Sequence, residues 1–190
     1  MGDESPTGKF IVTRTGQRFY FDRPEWFHYT TTDIAPALAN LCRFAGQMRW
    51  WSVAQHSLLV GALVPPRHRL RGLLHDASEA FLADIPSPLK HSPIMRGYRA
   101  LEARTMAAIH EDFGLAEEDA EGDAEVKQAD LLALRAEALY LGILDSTWSV
   151  WTMRAVSIPR PLLRASRQKV ARQLTAAIVD ETRSQGLRLR

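Results

Sequence analysis

The chain has one cysteine, Cys42, among its 190 residues. A lone thiol cannot build an internal disulfide framework, and it suits a reducing cytoplasm. No apolar run reaches the ~18 residues a membrane span needs, so no membrane partner is expected. The opening MGDESP is acidic and has no apolar core of a secretory signal; Pro6 also breaks the myristoylation pattern. Internal repeats, low-complexity tracts and long linkers are missing. Charge is nearly balanced at +2 but unevenly placed. Residues 111–137 carry ten acids against Lys127 and Arg135, and residues 154–190 carry nine basic side chains against Asp180 and Glu181. No aromatic residue interleaves with those basic charges. A solvated helix face is therefore the expected reading, and nucleic acid is not an expected partner.

What is present describes one ordinary globular domain over 1–190, 46% hydrophobic and 24% charged. Residues 10–14 and 17–21 are short β-prone runs around Thr15-Gly16 and predict a small hairpin, followed by an irregular segment to residue 32. Thr32 or Asp33 can cap a helix that tolerates Pro36 in its first turn and runs through ALANLCRFA towards Gly46. Ser52 and Gln55 predict a capping box for a helix ending before Pro65-Pro66. Further helices are predicted from about Arg67 to Glu79 or Phe81, Arg96 to Phe113, Ala124 to Gly142, and Arg160 to Ser184. The segment ADIPSPLKHSP is too rich in proline for helix. The fold class is all-α: a helical bundle with a small N-terminal β-hairpin. Its core spans 33–145, and a basic segment and helix occupy 146–190.

Four positions in that bundle break the apolar pattern. Val53, Val60 and Leu63 share a helix face with His56. Leu70, Leu73 and Leu74 line a buried face that continues into His75 and Asp76, with Glu79 one turn further on. Val126, Ala133 and Leu134 surround Asp130. Each polar residue alone has an innocent explanation; a lone His on such a face is usually a satisfied core histidine. Together they have a simpler one, a shared cation. Two imidazoles and two carboxylates without thiolate make a mixed N/O site suited to Mn, Fe, Co, Zn or Mg. The competing explanation is a buried ion-pair network in which Arg49, Arg71 or Arg135 neutralises the acids. That leaves Glu79 and Asp84 unexplained.

His56, the His75-Asp76 pair and Asp130 resemble the signature of HD-domain metal-dependent phosphohydrolases. The segments SVAQHS, LLHDASEAFLADIPSPLK and VKQAD are similar to those of bacterial HD-domain 5′-deoxynucleotidases. DIAPALANLCRFAG with SVAQHS is similar to phage and prophage HD phosphohydrolases, including deoxyadenosine triphosphate triphosphohydrolases. The resemblance covers roughly residues 10–145. It implies an HD-domain fold in which His56, His75, Asp76 and Asp130 bind a divalent metal such as Zn, Co, Mn or Mg. Glu79 would orient or activate the attacking water, and Asp84 would assist or help hold a second cation. Arg43-Phe44 looks like the family's Arg-aromatic pair, with Phe where the deoxynucleotidases have Trp and a slightly shorter gap to the first His. Lys90 matches the lysine closing the proline-rich loop, and Arg49 lies where it could face the site.

These expectations make the protein an enzyme acting on a deoxynucleotide. Both related activities cleave between the 5′ oxygen and the α-phosphorus; one releases phosphate, the other triphosphate. The phage-like segment favours triphosphate release, with Lys90, His91, Arg96 and Arg99 as the added positive charge. A 5′-deoxynucleotidase acting on monophosphates is the alternative, and a non-catalytic regulatory or nucleic-acid-binding HD module is a second. A metallopeptidase is disfavoured because HExxH is absent. The related families form oligomers, so a homo-oligomer is expected, located in the cytoplasm.

Overall fold

The computed structural model describes residues 8–116 and 119–187. The acidic start at 1–7 and Arg188 and Arg190 of the basic tail lie outside that range. The fold is mostly helical, with one two-stranded antiparallel sheet. Strands β1 (Phe10–Val12) and β2 (Arg18–Tyr20) pair with Ile11 opposite Phe19, and Gly16 takes the left-handed backbone (φ +82°) the turn requires. Phe19 is fully buried and meets Phe27, Tyr29 and Phe81 at centroid distances of 4.8–6.4 Å. Such aromatic pairs add roughly 0.5–1.5 kcal/mol each beyond area burial. The hairpin is thereby pinned over Phe81, two residues from Glu79.

Helix α1 (Thr31–Asn40) begins earlier than its sequence suggests. Thr30, not Thr32 or Asp33, is the cap: its hydroxyl oxygen accepts from the Asp33 amide, and the Asp33 carboxylate accepts from Thr30 and from Thr15 in the hairpin turn. Pro36 thus lies in the second turn. The helix also stops at Asn40 rather than near Gly46. Residues 41–43 pair instead with 51–53: Arg43 N–H donates to the Trp51 carbonyl (2.9 Å) and Val53 N–H to that of Leu41 (3.1 Å). Phe44 and Ala45 then take positive φ (58° and 53°).

Helix α2 (Val53–Leu63) carries the expected Ser52–Gln55 capping box and packs against α3 (Arg69–Leu74). The contact is close because Gly61 and Gly72 face it without side chains. The predicted 67–81 helix is interrupted: His75–Ser78 form a turn, and α4 (Glu79–Leu82) follows. A short α5 (Ser87–Lys90) does form in the proline-rich loop, because Pro88 occupies its first turn, where no amide partner is needed. Then come α6 (Arg96–Asp112), α7 (Ala120–Leu141, capped by Asp119), α8 (Arg160–Leu163) and α9 (Arg167–Ser184). Small residues Ala129, Ala133 and Ala136 let α7 approach Leu59 and Val60 of α2. Val170, Leu174 and Ile178 of α9 are buried in the same core as Ile34 and Leu38 of α1. The C-terminal helix is therefore part of the core. No helix among the described residues is long and apolar enough to cross a membrane.

Candidate metal centre

The close α2–α3 and α2–α7 contacts bring three elements to one point. His56 projects from the middle of α2, His75 and Asp76 from the turn that ends α3, and Asp130 from α7. His56, His75 and Asp130 form a group that could hold a metal ion, with ligand atoms all within 4.8 Å of one another. The two Nε2 atoms are 3.1 Å apart, and Asp130 Oδ1 is 3.2 Å from His56 Nε2. Asp76 Oδ2 joins them, 3.2 Å from His75 Nε2 and 3.6 Å from His56 Nε2.

The other ring nitrogens decide what these atoms offer. His75 Nδ1 lies 2.9 Å from the Gly72 carbonyl, which can only accept, so that nitrogen carries the proton. His56 Nδ1 lies 2.7 Å from Glu137 Oε1. Burial opposes ionisation of Glu137, but Arg43 and His56 outweigh it and hold its pKa below the usual range, so it too accepts. In their neutral forms both imidazoles therefore turn Nε2 lone pairs towards each other and towards two carboxylate oxygens. Four electron-rich atoms converge with no proton between them. Burial and Arg43 pull the His56 pKa down, yet Glu137 and Asp130 outweigh them and raise it to about 10. Burial raises Asp76, but His75, His56 and Arg43 hold it well below the carboxylate range. One proton on His56 is one remedy for this crowding. A cation answers all four atoms at once, and the N/O donor set with ring tautomers fixed from behind fits a divalent ion.

Around the cluster is a cavity of about 610 Å³, within the range of small-molecule sites. Arg43 lies in its wall, with Nη1 3.6 Å from Asp76 and Nε 3.2 Å from Glu137. It arrives there because residues 41–43 are tied to the start of α2. Phe44 lines the wall beside it. Glu79 is 4% exposed; burial first, then Asp76 and Asp84, push its carboxyl up to about 9. Its Oε2 has no hydrogen-bond partner. Asp84 is also raised, chiefly by burial, and follows Ala83, which is held at φ +70°, ψ 157°. Lys90 reaches into the site, 3.4 Å from Glu79 and 2.8 Å from Glu102.

Of the residues expected at the site, His56, His75, Asp76, Asp130, Glu79, Asp84, Arg43, Phe44 and Lys90 come together. Arg49 does not: it is exposed and lies over Tyr140, 4.7 Å from the ring centroid. None of the three arginines of the ion-pair alternative neutralises the cluster. Arg71 binds Asp119, Asp123 and the Ala116 carbonyl, and Arg135 approaches the Trp151 carbonyl. Glu137 was missed, although it lies seven residues past Asp130 and so on the same helix face. Lys127, 2.8 Å from Asp130, was missed as an ordinary surface lysine.

A helical domain with a histidine–carboxylate centre facing a cavity is the class these observations define. No family model matches the chain. It is 41% identical over 143 residues to the uncharacterized protein YfdR of Escherichia coli, spanning 74% of this chain and 78% of that one. An uncharacterized protein of Rhodobacter capsulatus is 38% identical over 135 residues, 65% of this chain and 68% of the other. The chain belongs to the family of YfdR.

Proposed function

We propose that the protein is an HD-domain, metal-dependent phosphohydrolase that cleaves between the 5′ oxygen and the α-phosphorus of a deoxynucleoside 5′-phosphate. The observation carrying this reading is the convergence of His56, His75, Asp76 and Asp130 beside a cavity that also holds an ionisable carboxyl, Glu79. A bound dication would lower the pKa of water towards neutral and offset charge on the phosphate oxygens. Phosphoryl transfer needs positioning and charge stabilisation more than covalent help. Arg43 can turn a planar fork to phosphate oxygens, and Lys90 a point charge. Burial and the neighbouring Asp76 and Asp84 favour the protonated form of Glu79, which suits it to protonate the departing 5′ oxygen; the carboxylate left behind can take a proton from water. Phe44 offers an apolar edge to the sugar or base.

The distribution of cations supports a monophosphate over a triphosphate. Arg99 is not available to a polyphosphate tail, since its guanidinium donates to the carbonyls of Lys90 and Ser92 at 2.6 and 2.9 Å. Arg96 is exposed and outside the cavity wall. His91 lines the cavity with its Nδ1 2.8 Å from the Ser87 carbonyl, and Arg43, Lys90 and Lys127 each already face a carboxylate. The test is a panel of deoxynucleoside mono- and triphosphates with Mn, Co, Mg or Zn, with the product identified. Metal-stimulated orthophosphate release from monophosphates, abolished by Asp76→Ala, is expected. Inorganic triphosphate as the product would reassign the substrate, and no turnover with any metal would leave a non-catalytic binding module.

A further inference from the structure

A groove of about 850 Å³ runs along the seam between α1 and α9, away from the metal cluster. Arg14, Arg167, Arg172 and Arg183 line it against a single acid, Asp180. We propose that this groove binds the sugar-phosphate backbone of single-stranded nucleic acid, a function separate from the proposed hydrolysis.

The first argument is residual charge. At least six of the ten acids at 111–137 have a basic partner within the chain: Arg67 pairs with Glu121 and Glu125, Arg71 with Asp119 and Asp123, Lys127 with Asp130, and Arg43 with Glu137. The basic face of α9 differs. Among the described residues the guanidinium groups of Arg14, Arg172 and Arg183 have no ion pair or hydrogen bond. Among the described residues this groove is thus a basic surface without matching acids, and its complement is a polyanion.

Shape narrows the occupant. Arg167 to Arg183 spans about 24 Å of helix, the reach of several stretched nucleotides rather than one. The floor is small (Ala39, Ala171, Ala176), so a chain can lie between the arginines. A duplex is read by a helix standing proud enough to enter a groove about 12 Å wide, whereas α9 is half sunk against α1. Apolar surface for bases is present as well. Arg167 stacks 3.8 Å over Trp50, an aromatic brought to the basic helix from another part of the chain. Past Arg14, Pro36 and Asn40 the groove continues into a pocket of about 250 Å³ beside the exposed Ile11 and Val12.

Fluorescence anisotropy with labelled twelve-nucleotide oligo-dT and oligo-U, the matching duplex and a poly-glutamate peptide tests this without any hydrolysis readout. Binding of the single strands is expected to weaken roughly 50-fold between about 50 and 200 mM salt, as four phosphate contacts on a single strand require. The double variant Arg172→Glu with Arg183→Glu should lose at least ~20-fold and about half the salt slope. Lys169→Glu, a single charge reversal on α9 outside the groove, should lose less than ~3-fold. Oligo-dT against oligo-U tells which nucleic acid is preferred. The proposal is overturned if no oligonucleotide binds at low salt, if Lys169→Glu is as harmful as the groove pair, or if the duplex or the acidic peptide binds as tightly as the single strands. Circular dichroism of each variant separates lost binding from lost fold. Should a variant misfold, Arg172→Gln with Arg183→Gln repeats the test.

Discussion

Gly61 is a sharp test of how the centre is assembled. A Cβ added there would lie 2.6 Å from Leu73 Cδ2 and 2.8 Å from its Cγ. Leu73 is 2% exposed, so it cannot relieve the clash by swinging out into solvent. Its neighbour Gly72 is as tightly placed, with a Cβ meeting Val64 Cγ2 at 2.9 Å and the Gly61 Cα at 3.5 Å. Overpacking of this kind costs roughly 1–3 kcal/mol. Alanine in place of glycine inside a helix returns roughly 0.5–1 kcal/mol. Gly61→Ala should therefore lose about 1 kcal/mol net at the midpoints of those ranges, read as a lower urea midpoint with unchanged m-value. Gly97→Ala in α6 is the control. Nothing lies within 4 Å of its Cβ position, so it should gain up to about 0.5–1 kcal/mol. Pushing α2 from α3 also moves His56 from His75, so cation affinity, measured by chelator competition, should fall at least about tenfold. A Gly61→Ala protein as stable as the parent, with the same cation affinity, would refute the claim that this contact sets the imidazole spacing.

Glu137→Gln should weaken cation binding about 10–100-fold, because it removes the carboxylate that fixes the His56 tautomer; calorimetric titration with Mn reads this, and an unchanged affinity makes Glu137 only an Arg43 partner. Ala83→Gly should stabilise the protein by about 1 kcal/mol, the relief of a backbone region nearly reserved for glycine, roughly 1–3 kcal/mol, less the added freedom of the unfolded chain; an unchanged or lower melting point counts against strain at that residue. The Glu79 carboxyl is raised from an ordinary 4.5 to about 9, so its stabilising contribution is full below the unfolded value and is lost as pH rises towards 9. Glu79→Gln, a mimic of the protonated form, should therefore leave the metal-free protein nearly unchanged at acid pH but more stable than the parent by at least about 1 kcal/mol near pH 8; parallel stability–pH curves for the two proteins would contradict this.

The residues of the candidate metal centre were legible because a polar side chain on an apolar helix stripe is conspicuous. Helical phase alone located His56, His75, Asp76 and Asp130. Phase also contained Glu137, but a single acid near a helix end is common, and only the 2.7 Å contact to His56 gives it meaning. Arg43 was expected from resemblance, whereas its position comes from long-range pairing of 41–43 with 51–53, which no local pattern encodes. The same pairing ends α1 early and places Arg49 over Tyr140 instead of in the site. Helix α9 read as an appended basic segment because its charges dominate its composition. Its Val170, Leu174 and Ile178 stripe is visible in the sequence, where it could serve the core or a subunit contact; the assembled fold puts it in the core with α1 and α2.

Counting charge in the buried cluster shows what attracts a phosphate. Asp76, Asp130 and Glu137 bring three negative charges, and Arg43 returns one positive, leaving an excess of two when His56 is neutral, as a metal ligand must be, and of one when His56 holds a proton. Lys90 is matched by Glu102, and Lys127 stands largely in solvent, where its charge is screened. Two unit charges about 5 Å apart interact by roughly 3 kcal/mol at an effective dielectric near 20, so the cluster by itself repels a phosphate strongly. One dication cancels the excess, and Arg43 and Lys90 can then act on the incoming oxygens. Under the proposed function, metal and phosphate binding are thus linked, each raising the affinity of the other. Calorimetry with deoxyadenosine monophosphate should give no measurable heat after chelation and clear binding once Mn is restored. Equal affinity in both conditions would mean that the arginine and lysine recognise phosphate unaided, and that the four converging side chains serve some purpose other than the reaction proposed for them.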